Sequence, residues 1–196
     1  SSTQKTQKRN RRSSIEGPLK RMHIALRQGR IEQAFKINRD LAASGVRAAS
    51  RLEGSGNLAE LRERHRMAES AVAERNWRQA LAATDRALKL VRKISPSARG
   101  TLRKLKHLRA EAWLAKATEL GNNSKLCEAR KALDNARKNN SSNQKVKNGF
   151  SRLRNFAKTK LDFAKKRLAE GASKGGMTPH LKLALCLAKR GGPVWK

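Results

Sequence analysis

Acidic side chains are scarce in this sequence: 15 Asp and Glu stand against 47 Lys and Arg, a formal net charge of +32 on 196 residues. That scarcity excludes the mixed surface of an ordinary small domain, whose net charge is about 2–8 in magnitude. Tyrosine is absent and aromatics make up 4% of the chain, which leaves alanine and leucine to fill a thin core between paired helices. Disorder from end to end is not expected on that ground, although the charge would permit it. The two cysteines, Cys127 and Cys186, are too few for a disulfide framework and form no Cys-x-x-Cys motif. They lie far apart in apolar helical patterns and read as two buried thiols in a reducing compartment.

No run of about 18 apolar residues is present, so no membrane span is expected, and no cleavable apolar leader is visible. Catalytic constellations are missing too. His23, His65, His107 and His180 stand singly, without His-x-x-x-His or Cys–His spacing. They read as surface or phosphate-facing residues rather than metal ligands. The segment Gly171–Gly176 contains Lys174 but no Gly-Lys-Ser/Thr after a strand, which makes it a poor nucleotide loop. No nucleophile has a visible base. The chain is expected to be a non-enzyme, with no catalytic residue, cofactor, metal or small-molecule substrate.

What the sequence does contain is regular helical punctuation, without convincing strand alternation. Pro18 opens a short helix that Gly29 closes. Ile31, Ala34, Ile37 and Leu41 line a second, ending at Gly45. Residues 53–57 read as a flexible joint, with Asn57 capping a helix over Leu58–Arg75. Trp77–Ile94 follows, and Ser95-Pro96 breaks it. Further helices are predicted over Thr101–Leu120 and from Ser124 to Lys138. Beyond the polar run 139–143, Val146, Phe150, Leu153, Ala157, Leu161, Ala164 and Leu168 recur at steps of three and four, a helix stopped by Gly171. Thr178-Pro179 reads as the cap and first turn of a last helix, Leu181–Arg190.

Eight helices on short connections predict an all-α array of antiparallel helical hairpins, a solenoid or bundle with a basic N-terminal tail. Three segments follow: a basic extended tail over residues 1–14, disordered alone in water, a helical-hairpin repeat domain over 15–143, and a basic C-terminal helix pair and tail over 144–196.

Three helix pairs share one spacing pattern. Ala68, Ala71, Trp77, Ala80, Ala87 and Leu88 carry the clearest copy. Trp113, Ala117, Leu120, Leu126, Ala129, Leu133 and Ala136 carry the second, and Met22, Ala25, Gly29, Ile31, Ala34 and Leu41 the third. This pattern over residues 15–143 resembles the tetratricopeptide repeat, or its relatives in RNA-processing scaffolds. The resemblance implies close helix approach at the alanines and bulky aromatic positions at Trp77 and Trp113. It departs from the family in spacing: Ala34, Ala80 and Ala129 stand 46 and 49 residues apart, against a repeat of about 34. The family binds peptides in a concave groove. The matching positions here hold Arg62, His65 and Glu69, then Glu111, Leu114 and Thr118, which is not its carboxylate clamp.

Charge is uneven along the chain. Residues 55–88 hold six Arg and five acids, a solvated balance. Residues 89–109 hold Lys89, Arg92, Lys93, Arg99, Arg103, Lys104, Lys106 and Arg109 and no acid. Residues 125–168 hold 14 basic side chains against Glu128, Asp134 and Asp162. Within that stretch Lys147, Arg154, Lys158 and Lys165 form one stripe largely away from the apolar seam, accompanied by Lys145, Arg152, Lys166 and Arg167. Together with Lys5, Lys8, Arg9, Arg11 and Arg12 of the tail, these are the expected nucleic-acid-binding residues. Trp77, Trp113, Phe150, Phe156 and Phe163 are expected on core faces, with only Trp195 outside them. Backbone and shape reading of folded RNA or a duplex is therefore expected over stacking on single strands.

A polyanion is the natural partner for this charge, since neutralised phosphates release counterions and supply affinity without a sequence code. The expected function is a non-catalytic, RNA-binding helical scaffold, a structural subunit of a large ribonucleoprotein such as a ribosome, contacting RNA and other protein subunits. The alternatives are a DNA- or genome-packaging protein, nucleoid or viral, and a tetratricopeptide-like adaptor for an acidic protein. The expected location is intracellular, in the cytoplasm or an organelle matrix.

Overall fold

A computed structural model describes residues 19–187. The tail with Lys5, Lys8, Arg9, Arg11 and Arg12 lies outside the described residues, as does Trp195. Among the described residues every regular element is a helix: α1 over residues 19–27, α2 (Ile31–Ala43), α3 (Arg47–Gly54), α4 (Asn57–Ala73), α5 (Trp77–Ile94), α6 (Arg99–Asn122), α7 (Leu126–Asn139), α8 (Gln144–Ala169) and α9 (Lys174–Leu187). The all-α expectation holds. The chain divides into two compact units between Arg109 and Ala110, within α6.

Two segments differ from the sequence reading. Residues 47–54 are helical, and α3 packs against α2 and α4, so the joint shrinks to Ser55 and Gly56. Gly56, at φ 65°, is the N-cap residue, and Asn57 opens α4. At the other end, α9 begins at Lys174 and runs through Gly175, Gly176 and Pro179. Ser173 caps it instead, its Oγ accepting from the Gly176 N–H at 3.2 Å. Packing of α9 on α8 and α7 outweighs the weak helix propensity of two glycines and the N–H lost at Pro179.

The turns repeat. Gly29, at φ 75°, donates its N–H to the Leu26 carbonyl while Arg30 donates to Ala25, the pair of bonds that satisfies a helix C-terminus through one left-handed residue. Arg75 (φ 58°) and Ser124 (φ 60°) make the same bonds after α4 and α6 without being glycine, at a cost of about 1 kcal/mol each. The outgoing turns also match. Ser95 (φ −153°, ψ 86°) and Asn140 (φ −150°, ψ 90°) end α5 and α7, each donating to the carbonyl four residues back. Pairs α4–α5 and α6–α7 are thus turned and left through the same two backbone devices. An apolar-x-x-Ala start follows these three left-handed stops, at Ile31–Ala34, Trp77–Ala80 and Leu126–Ala129, and all three alanines are buried.

In the first unit Met22, Leu26, Leu58, Leu61, Val91 and Leu105 are fully buried in one cluster, each worth about 1.5–3 kcal/mol relative to exposure. The end of α1 meets the start of α6 backbone to backbone. Thr101 Oγ1 donates to the Leu26 carbonyl at 2.6 Å, and a Cβ on Gly100 would fall 2.2 Å from the Arg27 carbonyl oxygen. Only glycine fits there. Three acids of this unit are paired with arginines: Glu32 with Arg62 and Arg66 at 2.7 and 2.8 Å, Glu60 with Arg64 at 3.6 Å and with both arms of Arg86, Asp85 with Arg109. The Arg86 fork holds the Glu60 carboxyl below the usual range.

Two histidines are not surface groups. His65 is buried, and burial lowers its pKa despite Glu69 at 3.4 Å. His23 is half-buried with Nδ1 3.2 Å from Ser95 Oγ, and burial, then Arg27, lower its pKa.

The second unit has a thinner core. Ala117, Ala132 and Leu133 are buried, with Trp113, Leu114, Leu120, Phe150 and Leu153 half-buried around them. Here the reading of the cysteines is corrected: Cys127 of α7 and Cys186 of α9 are half-buried and joined in a disulfide, Cα–Cα 5.7 Å. They stand 59 positions apart in sequence, and only the folding of α8 and α9 back onto α7 brings them together.

Candidate nucleic-acid interface

α8 carries the largest basic surplus of the described helices: nine Lys and Arg and a single acid, Asp162. Asn143 starts it, its Oδ1 accepting from the Lys145 and Val146 N–H groups at 2.9 and 3.4 Å. Gly171, in the left-handed region at φ 85°, ends it. Only Val146, Ala157 and Ala164 are buried on α8, because α9 and α7 cover one narrow face. Most of its charged side chains stand at exposed positions.

The stripe Lys147, Arg154, Lys158 and Lys165 is exposed along one flank. At its first two members the fold adds a contribution that the sequence reading missed. Arg130 and Arg137 of α7 join Lys147 and Arg154 around a cavity of about 370 Å³ floored by Phe150. Asp134 is the one acid on its lining, 3.1 Å from Arg137 and 4.0 Å from Arg130. Arg130 Nη1 also donates to the Cys186 carbonyl at 2.8 Å, and the Arg137 guanidinium lies over the Phe150 ring, 5.2 Å from its centroid. Four cations around one anion leave a net positive cup of a size and polarity that suits phosphate groups. A signal was available: Arg130 and Arg137 repeat the seven-residue spacing of Lys147 and Arg154 on the preceding helix.

The other members of the expected set are distributed as follows. Lys145 and Arg152 lie on the opposite flank of α8, Lys145 Nζ 3.3 Å from Glu111. Lys166 and Arg167 are exposed and reach Glu170 at 4.0 and 3.0 Å. In the first unit Lys89, Arg92 and Lys93 are exposed on α5, Lys93 Nζ 3.5 Å from Asn57 Oδ1. Arg99, Arg103 and Lys106 form an exposed row on α6, whereas Lys104 stands toward Gly29 and His65, and Arg109 is bound to Asp85. The segment 89–109 therefore presents two groups of cations on two helices.

The placement of the aromatics is corrected. Phe156 and Phe163 are 38% and 45% exposed on α8, whereas Trp77, Trp113 and Phe150 are half-buried. Cations lie over several rings: Arg62 over Phe35, Arg78 over Trp77, Lys116 over Trp113 and Lys160 over Phe156, at 4.5 to 5.2 Å. On α8, exposed aromatics therefore do stand among basic residues, contrary to the expectation that the rings lie on core faces. Among the described residues no group of three or more His, Cys, Asp or Glu could hold a metal ion, and no helix is long and apolar enough to cross a membrane.

Compared with protein-family models, curated proteins and solved structures, the chain has no match.

Proposed function

We propose that this chain is a non-catalytic, RNA-binding helical scaffold, a structural subunit of a large ribonucleoprotein such as a ribosome. Its helix pairs form tetratricopeptide-like antiparallel hairpins that space the assembly and dock neighbouring subunits, while basic surfaces hold phosphates. The observation that carries this reading is the cup of Arg130, Arg137, Lys147 and Arg154 with one acid on its lining, continued by Lys158 and Lys165 on a chain of net charge +32. RNA is favoured over DNA because such a charge suits burial among folded strands.

The test is salt dependence. If ~6–10 phosphates are engaged, affinity for a structured RNA falls by roughly 10³–10⁵ between about 50 and 200 mM salt. A flat salt profile would sink the reading. One observation favours a second reading: the Cys127–Cys186 disulfide removes the ground for a reducing compartment, since such bonds persist in oxidising ones. That suits a genome-packaging protein of a particle. Competition between RNA and DNA of matched length separates the two.

A further inference from the structure

One face of α8 alternates cations and rings. Arg152, Phe156, Lys160, Phe163 and Arg167 follow at steps of four, four, three and four, which places them in one row along the helix. This row lies on the flank opposite the Lys147–Lys165 stripe. Its two phenylalanines are, with Leu185 of α9, the exposed large hydrophobic side chains among the described residues. Seven residues apart, the rings stand roughly 10 Å from one another along the axis. Lys160 Nζ sits 5.2 Å from the Phe156 centroid, and His180 of α9 meets the Phe163 ring edge-on at 5.1 Å.

At its N-terminal end the row opens into a cavity of about 400 Å³ between α6, α7 and α8. Leu114, Leu133 and Leu153 line it, and Lys145, Asn148 and Arg152 stand on its α8 side. Asn148 lies one step of four before Arg152, so groove and ring row are continuous.

A single exposed phenylalanine needs no explanation. Two in a row whose other members are all basic do. The ligand they fit carries negative charge and flat apolar faces at regular intervals. Phosphates and bases of an unpaired polynucleotide meet both demands, whereas a duplex hides its base faces within the stack. An aliphatic protein partner would meet Arg152 and Lys160 as uncompensated charges in its interface.

We propose that this face of α8 is a track for unpaired nucleic acid, with bases stacked on Phe156 and Phe163 and one base in the Leu114–Leu133–Leu153 cavity. Phosphates between them are held by Arg152, Lys160 and Arg167. The proposal rests on the RNA-binding reading above and narrows its ligand to strands with unpaired bases, such as loops and single-stranded junctions. The two flanks of α8 then have separate tasks: one reads backbone charge, the other reads base faces.

The experiment uses the full chain and fluorescence anisotropy with three labelled probes: an oligo-uridine, an oligo-deoxythymidine of equal length, and an RNA duplex of matched total charge. Phe156→Leu with Phe163→Leu keeps apolar bulk and removes both rings. Affinity for the two single strands is expected to fall at least about tenfold, because stacking on one ring is worth ~1–3 kcal/mol. Affinity for the duplex stays within about twofold, and the salt slope on oligo-uridine is unchanged because no cation has been removed. Equal losses on single strands and duplex, or no loss on single strands, would overturn the track, and the latter is the outcome for rings that serve a protein partner. A wild-type chain that binds none of the probes would overturn both readings. Wild-type binding with no response to the ring substitutions would overturn this one alone. Photo-cross-linking with 5-bromouridine gives an independent readout: adducts are expected on the peptides carrying Phe156 and Phe163, and adducts confined to other helices contradict the track. Oligo-uridine against oligo-deoxythymidine tells RNA from DNA on the same track.

Discussion

α4 carries three arginines and three glutamates, whereas α8 carries nine basic residues and one acid. Both are amphipathic, and both begin and end on well-formed turns, yet they spend their surfaces differently. α4 buries Leu58, Leu61, His65, Ala68 and Ala71, and Glu60 and the three arginines are held in ion pairs within the same unit. α8 buries a valine and two alanines and leaves its cations and two phenylalanines outside. The difference teaches where to look for a ligand. On α4 the charges serve the fold, and exposed pairs of this kind are worth at most about 1 kcal/mol each. On α8 a single acid, Asp162, stands among nine cations, and the stripe Lys147, Arg154, Lys158 and Lys165 is exposed to solvent.

The sharpest way to break this comparison is to reverse the charge on each helix in turn. Lys147→Glu, Arg154→Glu, Lys158→Glu and Lys165→Glu together are expected to lower affinity for a structured RNA by about 100-fold or more at 50 mM salt. The log–log salt slope should flatten by roughly three to four, near 0.9 for each lost phosphate contact. Helicity by circular dichroism should hold, since Glu is a helix former comparable to Lys and Arg. Four reversals in the balanced region, at Arg64, Arg66, Arg75 and Arg78, should cost far less. Equal losses would mean that the charge acts diffusely and that α8 is not special.

Next in size is the clasp between α7 and α9. Cys127→Ser with Cys186→Ser removes a bond closing a loop of 59 residues and is expected to destabilise the second unit by about 2–4 kcal/mol. Amide exchange should rise in α7, α8 and α9 while the first unit keeps its protection. Uniform loss of protection would show that the two units unfold together.

Gly100→Ala probes the first unit instead. Its Cβ would collide with the backbone at Arg27 and Gly29, and the expected loss is about 1–3 kcal/mol by urea denaturation. Gly54→Ala has nothing within 4 Å of the new Cβ and should be neutral or gain a few tenths of a kcal/mol, up to about 1. If the two variants behaved alike, the close approach of α1 and α6 would be absent in solution.

The smallest effect expected is on pH. His23 and His65 have folded-state pKa values held below the ordinary 6.5, mainly by burial. The unfolded chain therefore takes up protons first, so the first unit loses stability as pH falls through about 6.5 toward the lower folded values and loses none above. Urea midpoints should drop between pH 7.5 and 5.5, and His23→Gln with His65→Gln should flatten that dependence. An unchanged slope in the double variant would place the effect on other groups.

Much of the fold is legible in the residues because helices are local. Val146 through Leu168 announce α8 by their spacing, and Gly29, Gly45 and Gly171 mark stops that the structure places at positive φ. Arg75 and Ser124 mark equivalent stops with no glycine to signal them. α3 was hidden by a short, polar stretch whose helix depends on packing against α2 and α4. Pro179 misled for the same reason, because its local preference lost to the contacts of α9 with α8. For the interface, exposed cations could be counted from sequence, but their grouping could not: Arg130 and Arg137 become neighbours of Lys147 and Arg154 only when α7 lies beside α8.

Composition and periodicity by themselves determined that this chain is helical, strongly basic and poor in acids, because those properties belong to single residues and to neighbours within a turn. Which face of α8 is covered, which phenylalanines remain in water, which cysteines meet and where only glycine fits were decided by contacts between residues far apart in sequence. Those depend on how α8 and α9 fold back on α7, and how α1 meets α6, and no local spacing carries that information.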